Sequence, residues 1–310
     1  MTVNCNRHMA GDAEAAQRLL PADWPHLKAS RLLPLDDLTW HLQFHAAKKP
    51  GGPLLFLLHG TGSSAHSWSD LIDPLTDFAD VLAVDLPGHG FTRGGQSRLM
   101  RLPAMAEALQ QLLGHLQCTG HVVMVGHSAG AALAIEWALR FAKQNPGLAL
   151  TRIVGLNPSL VPPPLLYTTM LGPVVAPIAT SAAMTGMLAF IAANTGMVDQ
   201  LLDSTGSKIP EAHRRLYRYL FTQPNHVQGA MEFMAGADLP ALLSRARSLT
   251  TPTSFLIGTQ DAWVKEEPLK NVIRASFPAA AVTTWTGGHL LHEERPADVA
   301  RFIQTIVLTA

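Results

Sequence analysis

The stretch Val122-Val123-Met124-Val125-Gly126-His127-Ser128-Ala129-Gly130 decides how this chain is read. Four apolar, mostly β-branched residues predict a buried strand, and the alanine-rich run Ala129 to Lys143 predicts a helix directly after it. Between them lies a sharp strand-to-helix turn with Ser128 at its tip. A serine hydroxyl is a weak nucleophile at its free pKa and must be presented to a base. Such a turn presents it, and small residues at Gly126 and Gly130 let neighbouring backbone come close. The N-terminus of the following helix also aims N–H groups at developing negative charge. In an ordinary strand–helix turn the same serine would have no special role.

Outward from this turn, short apolar runs alternate with amphipathic stretches, the rhythm of a mainly parallel sheet covered on both faces. Strands are expected at Ser30 to Leu35 and Leu38 to His45 as a leading hairpin. Further strands are expected at Leu54 to Leu58, Val81 to Val84, Val122 to Val125, Ile153 to Leu156, Ser254 to Ile257 and Val282 to Trp285. Helices are expected at Trp68 to Phe78, Leu102 to Leu116, Ala129 to Lys143 and Ala297 to Val307. The fold class is therefore α/β, with an eight-stranded, mainly parallel sheet. Residues 159–248 break the alternation and supply no strand. They are expected to form a helical lid inserted into a core of residues 1–158 and 249–310. No charged residue falls between Arg152 and Asp199, a length that invites a membrane-span reading. Pro162, Pro163, Pro164, Gly172, Pro173, Pro177, Gly186 and Gly196 interrupt every such span, so short apolar helices are expected instead.

Three more segments carry chemistry. Leu58-His59-Gly60-Thr61-Gly62 ends the third strand, where preorganised N–H donors would face an oxyanion. The backbone N–H groups of Thr61 and Ala129 are the expected pair, with the His59 imidazole bracing the loop. Phe255-Leu256-Ile257-Gly258-Thr259-Gln260-Asp261 carries a carboxylate past a strand end, on the sheet edge that holds Ser128. Asp261 would orient a histidine and stabilise its charged form. It could instead cap the next helix, and Glu266 and Glu267 are weaker candidates. Gly287-Gly288-His289 follows the last strand and supplies the base, His292 being the alternative. The order Ser, Asp, His suits this architecture.

Composition narrows the classes. Of 310 residues, 47% are apolar and 15% charged, enough for a large core and too apolar for disorder. Net charge is zero, so no basic field is available to hold nucleic acid. Cys5 and Cys118 are too few for a disulfide framework and fit a reducing compartment. The first twenty residues lack the basic stretch and apolar core of a secretory leader, and a cytoplasmic location is expected. Fourteen histidines suggest metal, yet no H-E-x-x-H or comparable ligand spacing appears. Most of the histidines outside the motifs are expected on the surface or in loops. No nucleotide-binding glycine pattern appears, and no cofactor or metal is expected.

The elbow GHSAG, the turn HGTG, the segment Asp85-Leu86-Pro87-Gly88-His89-Gly90-Phe91-Thr92-Arg93 and the closing GGHLLHEERP resemble the α/β-hydrolase superfamily. A narrower likeness rests on DWPHLKASRLL, LLHGTGSSAHSW, DLPGHGFTR, VGHSAGAALAIEWAL and the lid segment LLDSTGSKIPEAHRRLYRYLF. These resemble the BchO family, the magnesium-chelatase accessory proteins of bacteriochlorophyll biosynthesis in phototrophic bacteria. That resemblance implies a role near magnesium insertion and transient contact with the chelatase. The superfamily resemblance implies Ser128, Asp261 and His289 as a triad, and a serine there rules against a dehalogenase.

The lid should set specificity, since a triad defines only a reaction class. Its methionines and aromatics, among them Met170, Met184, Met187, Met197, Phe190, Met231, Phe233 and Met234, adapt to a bulky apolar ligand such as a tetrapyrrole or its ester. Met184, Met187, Phe190 and Met231 are the expected substrate-binding residues. They could equally pack the lid onto the sheet or touch the inner membrane surface. Arg214, Arg215 and Arg218 could meet a substrate carboxylate or form a solvated helix face. Two functions follow: a hydrolase acting on an apolar ester, or a porphyrin-binding or chelatase-assisting protein on a hydrolase scaffold.

Overall fold

The computed structural model describes residues 11–95, 97–144, 147–162 and 180–309. Its centre is a twisted sheet of β1 (Ser30–Leu35), β2 (Leu38–His45), β3 (Leu54–Leu58), β4 (Asp80–Val84), β5 (Arg93–Gly94), β6 (Gly120–His127), β7 (Leu148–Leu156), β8 (Thr253–Gly258) and β9 (Ala281–Trp285). The strand order is β1-β2-β4-β3-β6-β7-β8-β9, with β5 paired to β2. The sheet thus has one strand more than the eight expected, because two-residue β5 is too short to leave a pattern. From β4 to β9 every pairing along the sheet is parallel, while β2 runs against β1, β4 and β5. The β1–β2 hairpin closes on Asp36 and Asp37, with Asp36 at φ 53°. That left-handed value is one an aspartate tolerates in a tight hairpin turn.

Alternation along the strands builds two cores. Leu54, Phe56 and Leu58 of β3, Leu82 and Val84 of β4, and Val122 and Met124 of β6 face one side. That side is covered by α3 (Leu102–His115), α4 (Ala129–Phe141), α9 (Leu239–Ala246) and α10 (Glu266–Ser276). Leu55, Leu57, Val81, Ala83, Val123 and Val125 face the other side, under α2 (Ser69–Thr76) and the final helix α12 (Pro296–Leu308). All five residues of β3 are fully buried, and each such leucine contributes about 1.5–3 kcal/mol relative to exposure.

Between β7 and β8 the described residues form α5 (Ala182–Asn194), α6 (Met197–Asp203), α7 (Glu211–Phe221), α8 (Pro224–Gly236) and α9, with no strand among them. A short α1 (Ala13–Leu19) packs on β1, and α11 (Leu291–Glu294) follows the last strand. The carboxyl ends of β3, β6, β7, β8 and β9 meet under the α6–α8 helices, and the functional residues gather there.

Candidate active site

Ser128 stands between β6 and α4 with φ 52° and ψ −119°, a conformation that L residues rarely adopt. The flanking glycines make the bend feasible. A Cβ on Gly130 would lie 2.1 Å from the Leu58 carbonyl oxygen, and one on Gly126 2.5 Å from the Ala131 backbone. The Ser128 N–H donates to the Leu156 carbonyl at 3.0 Å, fixing the tip against β7. The hydroxyl points at His289, whose Nε2 lies 3.0 Å from Ser128 Oγ. His289 Nδ1 lies 2.7 Å from Asp261 Oδ2. Nδ1–H therefore donates to the carboxylate, leaving Nε2 as acceptor for the serine proton.

The carboxylate is well furnished. Asp261 Oδ1 accepts the N–H groups of Trp263 and Val264, each at 2.8 Å. Its Oδ2 also accepts Asn157 Nδ2–H at 2.8 Å. Burial alone would lift this carboxyl. The His289 ring and these donors more than reverse that and hold it below the ordinary aspartate range. The indole of Trp263 stacks over His289 at 5.8 Å between centroids, and the backbone of His289 donates to the Thr205 carbonyl. His127 lies beneath, donating Nε2–H to the His289 carbonyl at 2.9 Å. Burial and then His289 push the His127 pKa down to about 3, so its ring stays neutral.

Thr61 and Ala129 both line the cavity at Ser128. Ala129 opens α4, so its N–H has no carbonyl within the helix to bond. The Thr61 N–H donates to no main-chain carbonyl among the described residues. His59 braces the turn behind them: Nδ1–H donates to the Gly60 carbonyl at 2.8 Å and Nε2 accepts the Leu86 N–H at 2.9 Å. Asp85 ties the same region together, accepting N–H groups of Ala65 and Phe91 at 2.7 Å and facing His41 Nδ1 at 2.7 Å.

Several expectations are corrected here. Met184, Met187, Phe190 and Met231 do not line the cavity. Met187 and Phe190 are 49% and 70% exposed, because α5 is apolar all round and turns one side outward. Met184 and Met231 are half-buried away from Ser128, and Met170 lies outside the described residues. The helical insertion instead contributes Leu201, Leu202, Phe221, Phe233, Met234 and Leu239. Among the described residues the cavity holds about 120 Å³, less than the ~150 Å³ void that accepts benzene. Nor do the arginines reach it. Arg214 pairs with Asp199 and Asp203, Arg218 with Asp199 and Glu211, and Arg215 with Asp23. Among the described residues no charged side chain lines the cavity.

Nine of the fourteen histidines are buried, against the expectation of surface positions. Burial is the main cause lowering six of them, His59, His66, His89, His127, His226 and His292, and the His59 and His127 rings brace turns. No three His, Cys, Asp or Glu residues among those described are placed to hold a metal. Asn157 escaped sequence reasoning altogether. It follows β7 at φ 43°, and a lone asparagine after an apolar run carries no motif.

This chain belongs to the alpha/beta hydrolase family, whose model matches residues 55–302. Within that family it is a relative of the Magnesium-chelatase 30 kDa subunit of Rhodobacter capsulatus. The two are 34% identical over 288 residues, covering 89% of this chain and 93% of the relative. Epoxide hydrolase A of Mycobacterium tuberculosis is 26% identical, covering 82% of this chain and 89% of that protein. The crystal structure of ALR0039 from Nostoc sp PCC 7120 superposes with a TM-score of 0.71 at 19% identity. It covers 90% of this chain and 97% of that one.

Proposed function

We propose that this protein is a serine hydrolase of the esterase type, acting on a short, uncharged acyl group. The observation that carries the reading is the Ser128–His289–Asp261 array, joined at 3.0 and 2.7 Å at the tip of a strained turn. Ser128 Oγ attacks the ester carbonyl carbon while His289 Nε2 takes the hydroxyl proton. The tetrahedral oxyanion receives the N–H groups of Thr61 and Ala129. Collapse breaks the bond to the alcohol, which leaves with the proton from His289. Water then attacks the acyl-enzyme, giving its proton to His289. The second collapse returns that proton to Ser128 and frees the acid. Asp261 stays ionised throughout.

The substrate class follows from the walls. A void of ~150 Å³ accepts benzene, so a cavity of about 120 Å³ suits a short acyl chain. Mostly apolar side chains surround it, and among the described residues no cation waits there for a carboxylate. A larger molecule would therefore leave its bulk outside and insert one small ester end. Similarity to a magnesium-chelatase subunit over nearly the full length supports action beside a magnesium chelatase; the pathway proposed with it is bacteriochlorophyll biosynthesis, and the substrate an ester arm of a tetrapyrrole. The same similarity favours a second reading, a tetrapyrrole-binding or chelatase-assisting protein on a hydrolase scaffold. Among the described residues no helix is long and apolar enough to cross a membrane, and exposed Phe190 and Met187 are where a peripheral contact would form.

The test is covalent labelling. Purified protein treated with a fluorophosphonate should gain the adduct mass on Ser128, and Ser128→Ala should not. An unlabelled wild type with no turnover of p-nitrophenyl acetate would overturn the hydrolase reading and leave the binding one.

A further inference from the structure

Helix α7 carries a buried polar chain that the chemistry above does not use. Tyr217 Oη–H donates to Glu293 Oε1 at 2.6 Å, and Ser63 Oγ lies 3.1 Å from the same phenol oxygen. Since the phenol proton is given to the carboxylate, the Ser63 hydroxyl donates to Tyr217. On the other side His213 sets Nδ1 2.8 Å from Glu293 Oε2 and Nε2 3.0 Å from Asp70 Oδ2. Ser63, Tyr217, His213 and Glu293 are all buried, and Ser63 and Tyr217 line the cavity at Ser128.

Both ends of this chain sit beside reacting groups. Glu293 lies four residues after His289, and Ser63 two residues after Thr61. The Ser63 N–H donates to the Gly60 carbonyl at 3.2 Å, closing the turn that presents the Thr61 N–H. A second fastening comes from α8, where His226 Nε2–H donates to the Gly62 carbonyl at 3.2 Å while Nδ1 accepts the Gly90 N–H. The turn holding the expected oxyanion donor is thus clamped from the helical insertion rather than by the sheet alone.

We propose that Tyr217 is a positioning residue: by pinning Ser63 to Glu293 it fixes the Gly60–Ser63 turn, and with it the Thr61 N–H, where the oxyanion forms. Glu293, fully buried, can hold Tyr217 because His213 neutralises it from the far side. A satisfied buried network of this kind rigidifies what it touches, and an oxyanion donor works only when held at hydrogen-bond distance before the charge appears. The proposal rests on the serine-hydrolase reading.

The experiment compares Tyr217→Phe, Ser63→Ala and the double variant with wild type on p-nitrophenyl acetate. Thermal unfolding and fluorophosphonate labelling at Ser128 are measured in parallel. Tyr217→Phe keeps the ring and loses only the hydroxyl. Its kcat should fall about 5- to 50-fold, short of the ~10²–10³ lost with an oxyanion donor itself, while KM stays within twofold. Ser63→Ala should match it, and the double variant should be no slower than either single one, as for two members of one link. An unchanged kcat, a rise in KM alone, or losses that multiply would overturn the proposal while labelled wild type leaves the hydrolase reading standing. An unlabelled, inactive wild type would overturn both.

Discussion

Asn157 Nδ2 lies 2.8 Å from Asp261 Oδ2, and the same nitrogen donates to the Gly288 carbonyl at 2.9 Å. Asn157 Oδ1 accepts the Gly258 N–H at 3.1 Å. One side chain therefore joins the ends of β7, β8 and β9 and holds the acid against the histidine loop. Asn157→Ala leaves buried donors and acceptors unpaired and keeps a left-handed φ that alanine tolerates poorly. We expect a loss of about 2–3 kcal/mol in unfolding free energy and a kcat lowered about 10- to 100-fold through misplacement of His289. Asn157→Gly relieves the backbone and not the hydrogen bonds. It should recover part of the stability in urea unfolding and none of the kcat.

Ser128 holds a backbone conformation suited to glycine, at φ 52° and ψ −119°. Ser128→Gly should abolish fluorophosphonate labelling and at the same time raise unfolding free energy by roughly 1–2 kcal/mol over Ser128→Ala, the strain being released. Equal stability of the two variants would show that the turn is relaxed with a side chain present.

Acid should unfasten the region behind the site first. Burial would raise the Asp85 carboxyl, yet the His41 ring and the N–H donors hold it well below the ordinary range, and Asp261 is lowered likewise. Both folded values lie below the ~3.9 of an unfolded aspartate. Their stabilisation is complete above that pH and is lost as pH falls through the folded values. Urea midpoints should therefore drop below pH ~4. Asp85→Asn should cost about 3–5 kcal/mol at neutral pH by orphaning a buried partner and should flatten that acid slope.

The sheet and the residues at its edge were legible in the sequence for one reason. Ser128, Asp261 and His289 each follow an apolar run within a few residues, so strand prediction alone carries them to the same edge. Tyr217, His213 and Glu293 have no such signature. They lie on two helices separated by 76 to 80 residues, and only packing of α7 on the core brings them together. The methionine expectation failed because α5 is apolar on every side: its composition names no inward face. Phe233 and Met234 are adjacent on α8, and the turn of that helix alone gives them the cavity while Met231 misses it. Asp85 was legible as part of a motif, but not as the tie between the Ala65 and Phe91 loops.

His213 gives the insertion an alkaline limit. Burial lowers it, but Glu293 and then Asp70 more than reverse that, and its pKa stands above the usual value. The groups facing it are Glu293 and Asp70, with the His66 and His292 rings nearby. With a raised folded pKa, the stabilisation is full below the unfolded ~6.5 and is lost as pH rises through the folded value. Wild type should lose unfolding free energy over that alkaline interval, and His213→Gln should start lower at pH 6 and lose none there. Parallel curves for the two proteins would sink this assignment.

Size and charge both select the substrate at Ser128. A cavity of about 120 Å³ with apolar walls and no charged lining among the described residues discriminates by volume and desolvation together. Along a series of p-nitrophenyl esters, kcat/KM should be greatest for acetate to butyrate and at least tenfold lower for octanoate. A hemisuccinate should be poorer than butyrate, since its carboxylate would be buried without a partner. Arg214→Ala and Arg215→Ala should leave that order unchanged, because both guanidinium groups are engaged outside the cavity. Met234 and Leu201 are the side chains whose shortening enlarges the space, so Met234→Ala should move the optimum toward longer chains. A wild type that favours octanoate or the hemisuccinate would mean that the helices α6 to α8 swing clear during turnover, and the walls described here would then not be the ones that select the substrate.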